Sequence, residues 1–171
     1  LAIMPWWEAL SEDDRAFARR MIAEERLEIV GGMYVMPEFT EPGGEVCVRQ
    51  LLFGKPWMER ELGARVRVAW NIDSFGQDRQ LPQIFRQAGL DAFVFSRGGL
   101  NGTYDTRPAV FDYEGLDGTR ILTCWLAAHY SSFGDVTRGK TGRAAIAKHD
   151  RLAPTNRFLL LWGTDMSVPI H

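Results

Sequence analysis

The stretch RVRVAWNIDSFGQDRQLPQIFRQAGLDAFVFSR, residues 65–97, decides the fold. RVRVAW at 65–70 places Val66, Val68 and Trp70 on one face by alternation, which predicts a strand. Apolar residues then recur at i, i+3, i+4 and i+7 over 81–88, and a glycine follows, so a helix with its C-terminal stop is predicted. AFVFS at 92–96 is apolar up to its serine, as in a strand buried on both faces of a parallel sheet. This order of strand, helix and strand predicts an α/β fold.

The sequence before this stretch predicts further helices and one strand. A helix begins at Ser11, because acidic residues fill its first turn and basic residues follow. EIVGGMYVM at 28–36 predicts a strand, with its apolar residues flanking two glycines. Residues 45–53 predict a helix that ends at Gly54, and a second short helix is predicted for 56–63 because proline is well placed to open it.

The sequence after this stretch continues the alternation. AVFDY at 109–113 and TRILTCWLA at 119–127 are expected to pair as a hairpin. A helix is predicted over 143–152, and RFLLLWG at 157–163 predicts another buried strand. Together these elements indicate an α/β domain with a mainly parallel sheet, which is either open or closed into a barrel.

Composition limits the class of protein. The 171 residues are 46% hydrophobic and 12% aromatic, as expected of one globular domain rather than a disordered chain. The net charge of -2 is spread along the chain, which argues against nucleic acid or an anionic membrane as a partner and favours a neutral or small polar substrate. Cys47 and Cys124 form no CxxC pair, which argues against a disulfide framework and favours a reducing, cytoplasmic compartment.

The ends of the chain suggest a piece of a longer protein. The start, LAIMPWW, lacks an initiator methionine and has no pattern of a signal peptide, and the chain stops just after a strand-like segment. The longest apolar run, FLLLW at 158–162, is far shorter than the roughly 20 residues of a membrane-spanning helix. We expect both ends to be cut and no membrane to be involved.

Polar residues follow the predicted strands at their carboxyl ends, where functional groups collect in α/β folds. They are Asn71 and Asp73 after the first strand, Arg97 after the second, His129 and Tyr130 after 120–127, and Thr164 and Asp165 after 157–162. We therefore expect two carboxylates, a guanidinium and a phenol to meet on one rim. A carboxylate pair at a polar pocket is what glycoside hydrolysis requires.

Each rim residue also has a simpler interpretation. Asp73 could cap a turn and Asp165 a helix, because aspartate side chains bond nearby backbone N–H groups. Arg97 could be a solvated loop residue. The three histidines stand alone without an HxH, HxD or HExxH motif, so spacing by itself predicts no metal site. The convergence on one rim is better evidence than any single member.

Four segments of the chain resemble glycoside hydrolase family 38, the α-mannosidases, in motif and in order. They are LEIVGGMYVMPEF, GGEVCVRQLLFGKPWMERELG, VAWNIDSFGQDRQLPQIFRQAGLDAFVFSR and LLLWGTDM. The W-x-x-D-x-F-G motif followed by LPQI and an aromatic-rich strand ending in arginine is highly specific. The resemblance implies that residues 1–171 are the central part of one catalytic domain, a portion of a seven-stranded type of (β/α) barrel that is incomplete at both ends.

The resemblance also implies the roles of five residues. Asp73 matches the nucleophile, which forms the covalent mannosyl intermediate and ligates zinc, and Asp165 matches the acid/base. Phe75 matches an aromatic beside the sugar ring, Arg97 an arginine that hydrogen-bonds near the nucleophile, and Tyr130 an active-site tyrosine. The implied activity is retaining hydrolysis of terminal α-D-mannosyl residues from mannose-containing oligosaccharides or glycans, with zinc orienting the sugar.

Departures from the family pattern are informative. The H-x-D segment and the downstream histidine that complete the zinc site are absent, so Asp73 is expected to be one of four ligands, with the other three outside this chain. Gln77 stands where many members have histidine, and Glu38 follows Pro37 where aspartate is common. The chain alone is therefore expected to be an inactive piece of a longer enzyme.

Two other functions stay open on the residues alone. One is another metal-dependent α/β-barrel carbohydrate hydrolase or deacetylase, which would not need the W-x-x-D-x-F-G motif. The other is a non-catalytic carbohydrate-binding relic, in which Phe75 and nearby tryptophans stack on a sugar. The presence of both Asp73 and Asp165 argues against the relic.

Overall fold

The computed structural model describes residues 3–97 and 108–126, together with residues 130, 146–147, 150, 152, 155, 159 and 161. Eight elements are defined in this part of the chain. The helices are α1 (Ile3–Ala9), α2 (Glu12–Ala23), α3 (Gly44–Leu62) and α4 (Leu81–Gln87), and the strands are β1 (Val68–Asn71), β2 (Ala92–Phe95), β3 (Val110–Glu114) and β4 (Arg120–Trp125).

The four strands form one sheet in the order β1-β2-β4-β3. β1 pairs with β2 and β2 with β4 in parallel, whereas β3 runs antiparallel to β4. Asn71, Phe95 and Trp125, the last residues of the three parallel strands, are in register across the sheet. The loops that follow these strands therefore leave from the same edge.

This arrangement confirms an α/β fold with a mostly parallel sheet, and it confirms the predicted hairpin as β3 and β4. The predicted barrel is not confirmed, since the described strands form a four-stranded mixed sheet with β1 and β3 at its ends. The predicted helix 143–152 is helical at its few described residues. The predicted strand 157–163 lies almost wholly outside the described residues.

The local signals for α2 and α4 are confirmed. Ser11 caps α2, and its hydroxyl oxygen accepts a 3.2 Å hydrogen bond from the Asp14 backbone N–H. α4 ends just before Gly89, which has a φ of 74° and so takes the left-handed conformation that glycine adopts without strain. α1 was not predicted.

The strand predicted for 65–70 is shifted, because β1 begins at Val68 and includes Asn71. The sequence alternation places Val66, Val68 and Trp70 on one face of the strand. Val66 is buried, but within β1 the fully buried residues are Ala69 and Asn71, both at 0% exposure. Half-burial of Val68 and Trp70 on the opposite face shows that both faces are covered, as expected in a parallel sheet.

The strand predicted for 28–36 is wrong, since these residues form a loop. Gly31 and Gly32 have φ values of 92° and 74°, which an extended strand does not allow. The backbone after them bonds to α3, because Tyr34 N–H donates to the Gln50 carbonyl and Val35 N–H to Gln50 Oε1, both at 2.9 Å. The loop thus has hydrogen-bond partners without joining a sheet.

The two helices predicted for 45–53 and 56–63 are one continuous helix, α3, with Pro56 inside it and Gly63 as its left-handed cap. Proline in a helix interior costs about 3 kcal/mol or more. That cost is offset by packing, because α3 buries Cys47, Leu51, Met58 and Leu62 along its length. A Cβ at Gly54 would collide with the backbone of Met33 and Tyr34, so this glycine lets the loop approach the helix.

An aromatic core lies beneath the edge where the strands end. Phe85 of α4 packs on Phe93 at 5.1 Å between ring centroids, Phe93 stacks on Phe95 at 5.4 Å, and Phe95 meets Phe111 edge-on at 6.4 Å. Phe85 and Phe93 are fully buried. This cluster ties α4, β2 and β3 together and supports the loops above it.

None of the helices in the described part of the chain has both the length and the apolar character needed to cross a bilayer.

Candidate active site

Three polar side chains meet where the parallel strands end. Asp73 follows β1, Arg97 follows β2 and Tyr130 follows β4. The sheet continues slightly past its last residues, since the Arg97 N–H donates to the Ile72 carbonyl at 3.3 Å and the Leu126 N–H to the Phe95 carbonyl at 2.9 Å. The predicted convergence on one rim is confirmed for these three residues.

The three side chains form a closed set of contacts. Arg97 Nε lies 2.6 Å from Asp73 Oδ1. The Tyr130 hydroxyl donates to the same oxygen at 2.8 Å and accepts from Arg97 Nη2 at 3.3 Å. The other oxygen, Asp73 Oδ2, has no hydrogen-bond partner among the described residues. One carboxylate oxygen is therefore held and the other is left available.

The contact between Arg97 and Asp73 is mainly electrostatic. Arg97 Nε is buried, and its N–H direction does not satisfy a hydrogen bond although Asp73 Oδ1 is close enough for an ion pair. The hydrogen bond with Tyr130, and then the negative charge of Asp73, raise the pKa of Arg97, which is always protonated in any case. A permanent positive charge thus lies against the held oxygen.

This geometry rules out two of the simpler interpretations. Asp73 accepts its contacts from Arg97 and Tyr130, and no backbone N–H of the described residues donates to it as a turn cap would require. Arg97 is half-buried and ion-paired, with its side chain 35% exposed, so it is not a solvated loop residue. The Asp73 side chain is 47% exposed, so a ligand can reach it.

Phe75 adds an exposed aromatic surface beside the carboxylate. It is 66% exposed, and the Arg97 guanidinium lies 4.9 Å from its ring centroid. The same guanidinium is 5.6 Å from the Tyr130 ring. Cation–π contacts hold the guanidinium between two rings. The exposed ring thus offers an apolar contact surface next to the charged groups.

A second layer of contacts fixes the loop that carries Asp73. Gln77 Nε2 donates to the Arg97 carbonyl at 3.0 Å, and the Tyr113 hydroxyl donates to the Gln77 carbonyl at 3.1 Å. Burial, and then the charge of Asp78, raise the pKa of Tyr113, so its hydroxyl stays a donor. Gln77 therefore links the loops after β1 and β2.

The sequence did not predict these supporting roles. In the sequence Gln77 stands out only as a departure from the family's histidine, and Tyr113 only as part of the hairpin. Asn71, expected on the rim, is instead fully buried, with its Oδ1 2.7 Å from the Ser74 hydroxyl. A strand position that should be apolar but holds asparagine was the one available signal, because a buried amide needs partners.

Three predicted rim residues, His129, Thr164 and Asp165, lie outside the described residues. Asp165 therefore stays a prediction. In the part of the chain that is described, no three His, Cys, Asp or Glu side chains lie close enough to hold a metal ion. Asp73 could supply one oxygen ligand, and the prediction of zinc depends on ligands from elsewhere.

Two surface grooves lined by described residues do not contain the site. One of them, about 690 Å³ in volume, lies along α3 beside Tyr34 and Trp57, and Asp73 is not among its lining residues. Its lining combines apolar side chains with Arg49, Gln50 and Arg60 and includes no carboxylate. We locate the candidate site by its chemistry, not by concavity.

Comparison with known proteins identifies the family to which these features belong. The model described as "Glycosyl hydrolases family 38 N-terminal domain" matches residues 2–170. The "Alpha-mannosidase" of Saccharomyces cerevisiae is 30% identical over 137 residues, which are 75% of this chain and 13% of that protein. "Alpha-mannosidase 2x" of Mus musculus is 37% identical over 92 residues, 54% of this chain and 8% of that protein.

A solved structure agrees with these relatives. The crystal structure of an alpha-mannosidase from Enterococcus faecalis V583 superposes with a TM-score of 0.76 at 26% identity, over 90% of this chain and 18% of that one. The chain thus spans less than a fifth of the length of each of these relatives.

Proposed function

This chain belongs to glycosyl hydrolase family 38, whose N-terminal domain it matches from residue 2 to 170, and we propose that it carries the nucleophile of a retaining α-mannosidase. In this proposal residues 1–171 are the central part of one catalytic domain, and the sheet β1-β2-β4-β3 is a portion of a larger barrel. The substrate is a mannose-containing oligosaccharide or glycan, in keeping with the names of the relatives.

The observation that carries the proposal is the unequal environment of the two oxygens of Asp73. Oδ1 is held by Arg97 and Tyr130, whereas Oδ2 accepts no hydrogen bond from the described residues. A nucleophilic carboxylate needs this combination, with one oxygen fixed so that the other is aimed at the anomeric carbon. Phe75, whose exposed ring lies 4.9 Å from the Arg97 guanidinium, provides an apolar face for the sugar ring.

The reaction proceeds in two displacements at the same carbon. In the first, Asp165 as an acid gives its proton to the glycosidic oxygen, the bond from that oxygen to C1 breaks, and Asp73 Oδ2 forms a bond to C1. In the second, Asp165 as a base removes a proton from water, whose oxygen attacks C1 and releases Asp73. Configuration is retained. We expect the two carboxyl groups to be about 5–5.5 Å apart.

Arg97 and Tyr130 act on the charge of Asp73. Their contacts with Oδ1 stabilise the carboxylate before attack and again when it leaves C1 in the second step. Both contacts exist before substrate binds, so little reorganisation is needed in the transition state.

Zinc is the cofactor of this proposal, and the donor chemistry of the described residues fits only part of a site. Asp73 offers one carboxylate oxygen, and the described residues contain no group of three possible ligands. In this proposal the remaining ligands come from outside this chain. When bound, zinc would bind and orient sugar hydroxyls. We expect a chelator to abolish activity of the full-length protein and added zinc to restore it, with metal content measured by mass spectrometry. Full activity of metal-free protein would contradict the zinc proposal.

The direct test of function uses the full-length protein and 4-nitrophenyl α-D-mannoside, followed by NMR during the first minutes. The proposal predicts hydrolysis with α-mannose as the first product, and little hydrolysis of the matched α-glucoside. β-Mannose as the first product would overturn the retaining mechanism. Binding of mannose without hydrolysis of the α-mannoside, with retention or with inversion, would favour the carbohydrate-binding relic instead.

A further inference from the structure

A loop from another part of the chain lies against the loop that carries Asp73. Residues 37–40 meet residues 74–76 through three successive contacts, although the two segments are 37 residues apart in sequence. The Ser74 hydroxyl donates to the Pro37 carbonyl at 2.6 Å, and the Phe75 backbone N–H donates to Glu38 Oε2 at 2.7 Å. The central contact of the three is the one made by Glu38.

The third contact shows how closely the two loops approach. A Cβ placed on Gly76 would collide with the side chain of Thr40. Only glycine leaves room for Thr40 at this point, so the approach depends on the residue types of both loops. The Thr40 hydroxyl in turn donates to Glu38 Oε1 at 3.4 Å. Both carboxylate oxygens of Glu38 are thus directed to atoms of the loops and to no cation among the described residues.

The backbone on both sides of Glu38 is held in place by contacts with the rest of the structure. The preceding backbone is bonded to α3 through Tyr34 and Val35, both at 2.9 Å from Gln50. The next residue, Phe39, is 2% exposed and packs edge-on against Phe85 at 5.9 Å. A carboxylate between two such anchors has little freedom to move away from the Phe75 N–H.

The Phe75 backbone N–H, which donates to Glu38, lies close in sequence to both groups that this loop contributes to the proposed site. Asp73 is two residues before it, and the ring of Phe75 itself is the exposed aromatic surface beside Arg97. A hydrogen bond from a backbone N–H to a carboxylate is shorter and stronger than a neutral one. Its loss would let this stretch shift, and a displacement of about 1 Å can lower a rate by about 10²-fold.

We propose that Glu38 is a positioning residue of this site. It fixes the backbone at Phe75, and through it the places of the Phe75 ring and the Asp73 carboxylate, without touching the substrate or transferring a proton. The expected effect on activity rests on the proposed mannosidase function. The contact between Glu38 and the Phe75 N–H is independent of that function.

The experiment compares three variants of the full-length protein. Glu38→Ala removes the acceptor, Glu38→Gln keeps an acceptor oxygen but removes the charge, and Glu41→Ala removes a neighbouring exposed carboxylate of the same loop whose side chain makes no described contact. We expect kcat/KM for the α-mannoside to fall roughly 10- to 100-fold in Glu38→Ala. Glu38→Gln should stay within about threefold of wild type with an unchanged pH profile, and Glu41→Ala should match wild type.

A second readout does not depend on activity. Deuterium uptake in the peptide covering residues 73–77 should be faster in Glu38→Ala than in wild type, and unchanged in Glu41→Ala. If Glu38→Gln lost as much activity as Glu38→Ala while its deuterium uptake stayed at the wild-type rate, the charge would act on the reaction without fixing the loop, and this would overturn the positioning role. Unchanged uptake in Glu38→Ala would also overturn it. Absence of mannosidase activity in the wild type would refute the proposed function, while deuterium uptake would still decide whether Glu38 fixes the loop.

Discussion

Asp73 and Asp91 lie at opposite edges of the sheet and are similar in exposure and in their arginine contacts, but we assign them different roles. Asp73, at the carboxyl ends of the strands, is 47% exposed with an arginine Nε at 2.6 Å. Asp91, which precedes β2 at the amino ends, is 45% exposed with Arg67 Nε also at 2.6 Å. Exposure and arginine pairing do not distinguish them.

The difference lies in what the second oxygen does. Asp91 uses both oxygens, since Oδ2 accepts from Arg67 and Oδ1 from Arg86 at 3.1 Å. Asp73 has Arg97 and Tyr130 on one oxygen, and its other oxygen accepts no hydrogen bond from the described residues. An aspartate with both oxygens paired stabilises a loop junction, whereas one with a free oxygen can react. A carboxylate–arginine pair is therefore not by itself a catalytic signature.

The largest expected difference is between the activities of the two variants in which one aspartate loses its charge. Asp73→Asn in the full-length protein should lower kcat/KM for the α-mannoside by on the order of 10³-fold or more, because the amide cannot attack C1. Asp91→Asn should leave kcat/KM within about twofold of wild type, since surface ion pairs contribute little. Steady-state release of 4-nitrophenol measures both. Equal losses in the two variants would refute the distinction.

The next largest expected difference is between variants of the two arginines that pair with these aspartates, Arg97 and Arg67. Arg97→Met removes the charge against Asp73 Oδ1 but keeps a long apolar side chain near Phe75, and we expect kcat to fall roughly 10²-fold. Arg67→Met leaves Asp91 paired with Arg86, so its kinetics should match wild type. Thermal unfolding of both variants serves as a control. If Arg97→Met lost activity only in proportion to lost folded protein, the electrostatic role would be wrong.

A smaller effect is expected for the phenol. Tyr130→Phe removes the hydroxyl that donates to Asp73 Oδ1 while the ring stays near Arg97, so kcat should fall about tenfold. KM should change less than kcat, because the hydrogen bond acts on the nucleophile and not on the sugar. A change in KM alone would mean that Tyr130 binds substrate directly.

The smallest effect concerns stability at the opposite edge. The hydrogen bond from Arg67 lowers the pKa of Asp91 in the folded protein. The ion pair therefore contributes stability above the unfolded pKa of about 3.9, and this contribution is lost as the pH falls through the folded pKa. We expect Asp91→Asn to lower Tm slightly at pH 7, and the difference from wild type to shrink at pH 3 and below. A difference that persists in acid would exclude the ion pair as its cause.

Sequence patterns predicted the elements that are determined locally. α2 has a serine cap and acidic first turn, α4 has helical apolar spacing before Gly89, and β2 is a short apolar run; each signal lies within the element itself. The errors came where distant packing overrode local preference. Pro56 lies within α3 because the helix is buried along its length, and Gly31 and Gly32 turn a strand-like run into a loop held by Gln50.

The candidate site was predicted in its principal residues but not in its support. The rule that functional groups follow parallel strands brought Asp73, Arg97 and Tyr130 together without any contact being known. The contacts of Glu38 and Gln77 depend on how two loops approach each other, which spacing along the chain does not encode. The burial of Asn71 depends in the same way on the layers that cover the sheet.

The most direct test of the nucleophile is to trap it. The full-length protein should be incubated with a fluorinated α-mannosyl fluoride that forms the glycosyl-enzyme rapidly and hydrolyses it slowly, then digested and analysed by mass spectrometry. We predict a single mannosyl adduct on Asp73, formed in proportion to lost activity and absent from Asp73→Asn, while Asp91 stays unmodified. An adduct on another carboxylate, or inactivation without any adduct, would contradict the assignment of Asp73 as the nucleophile.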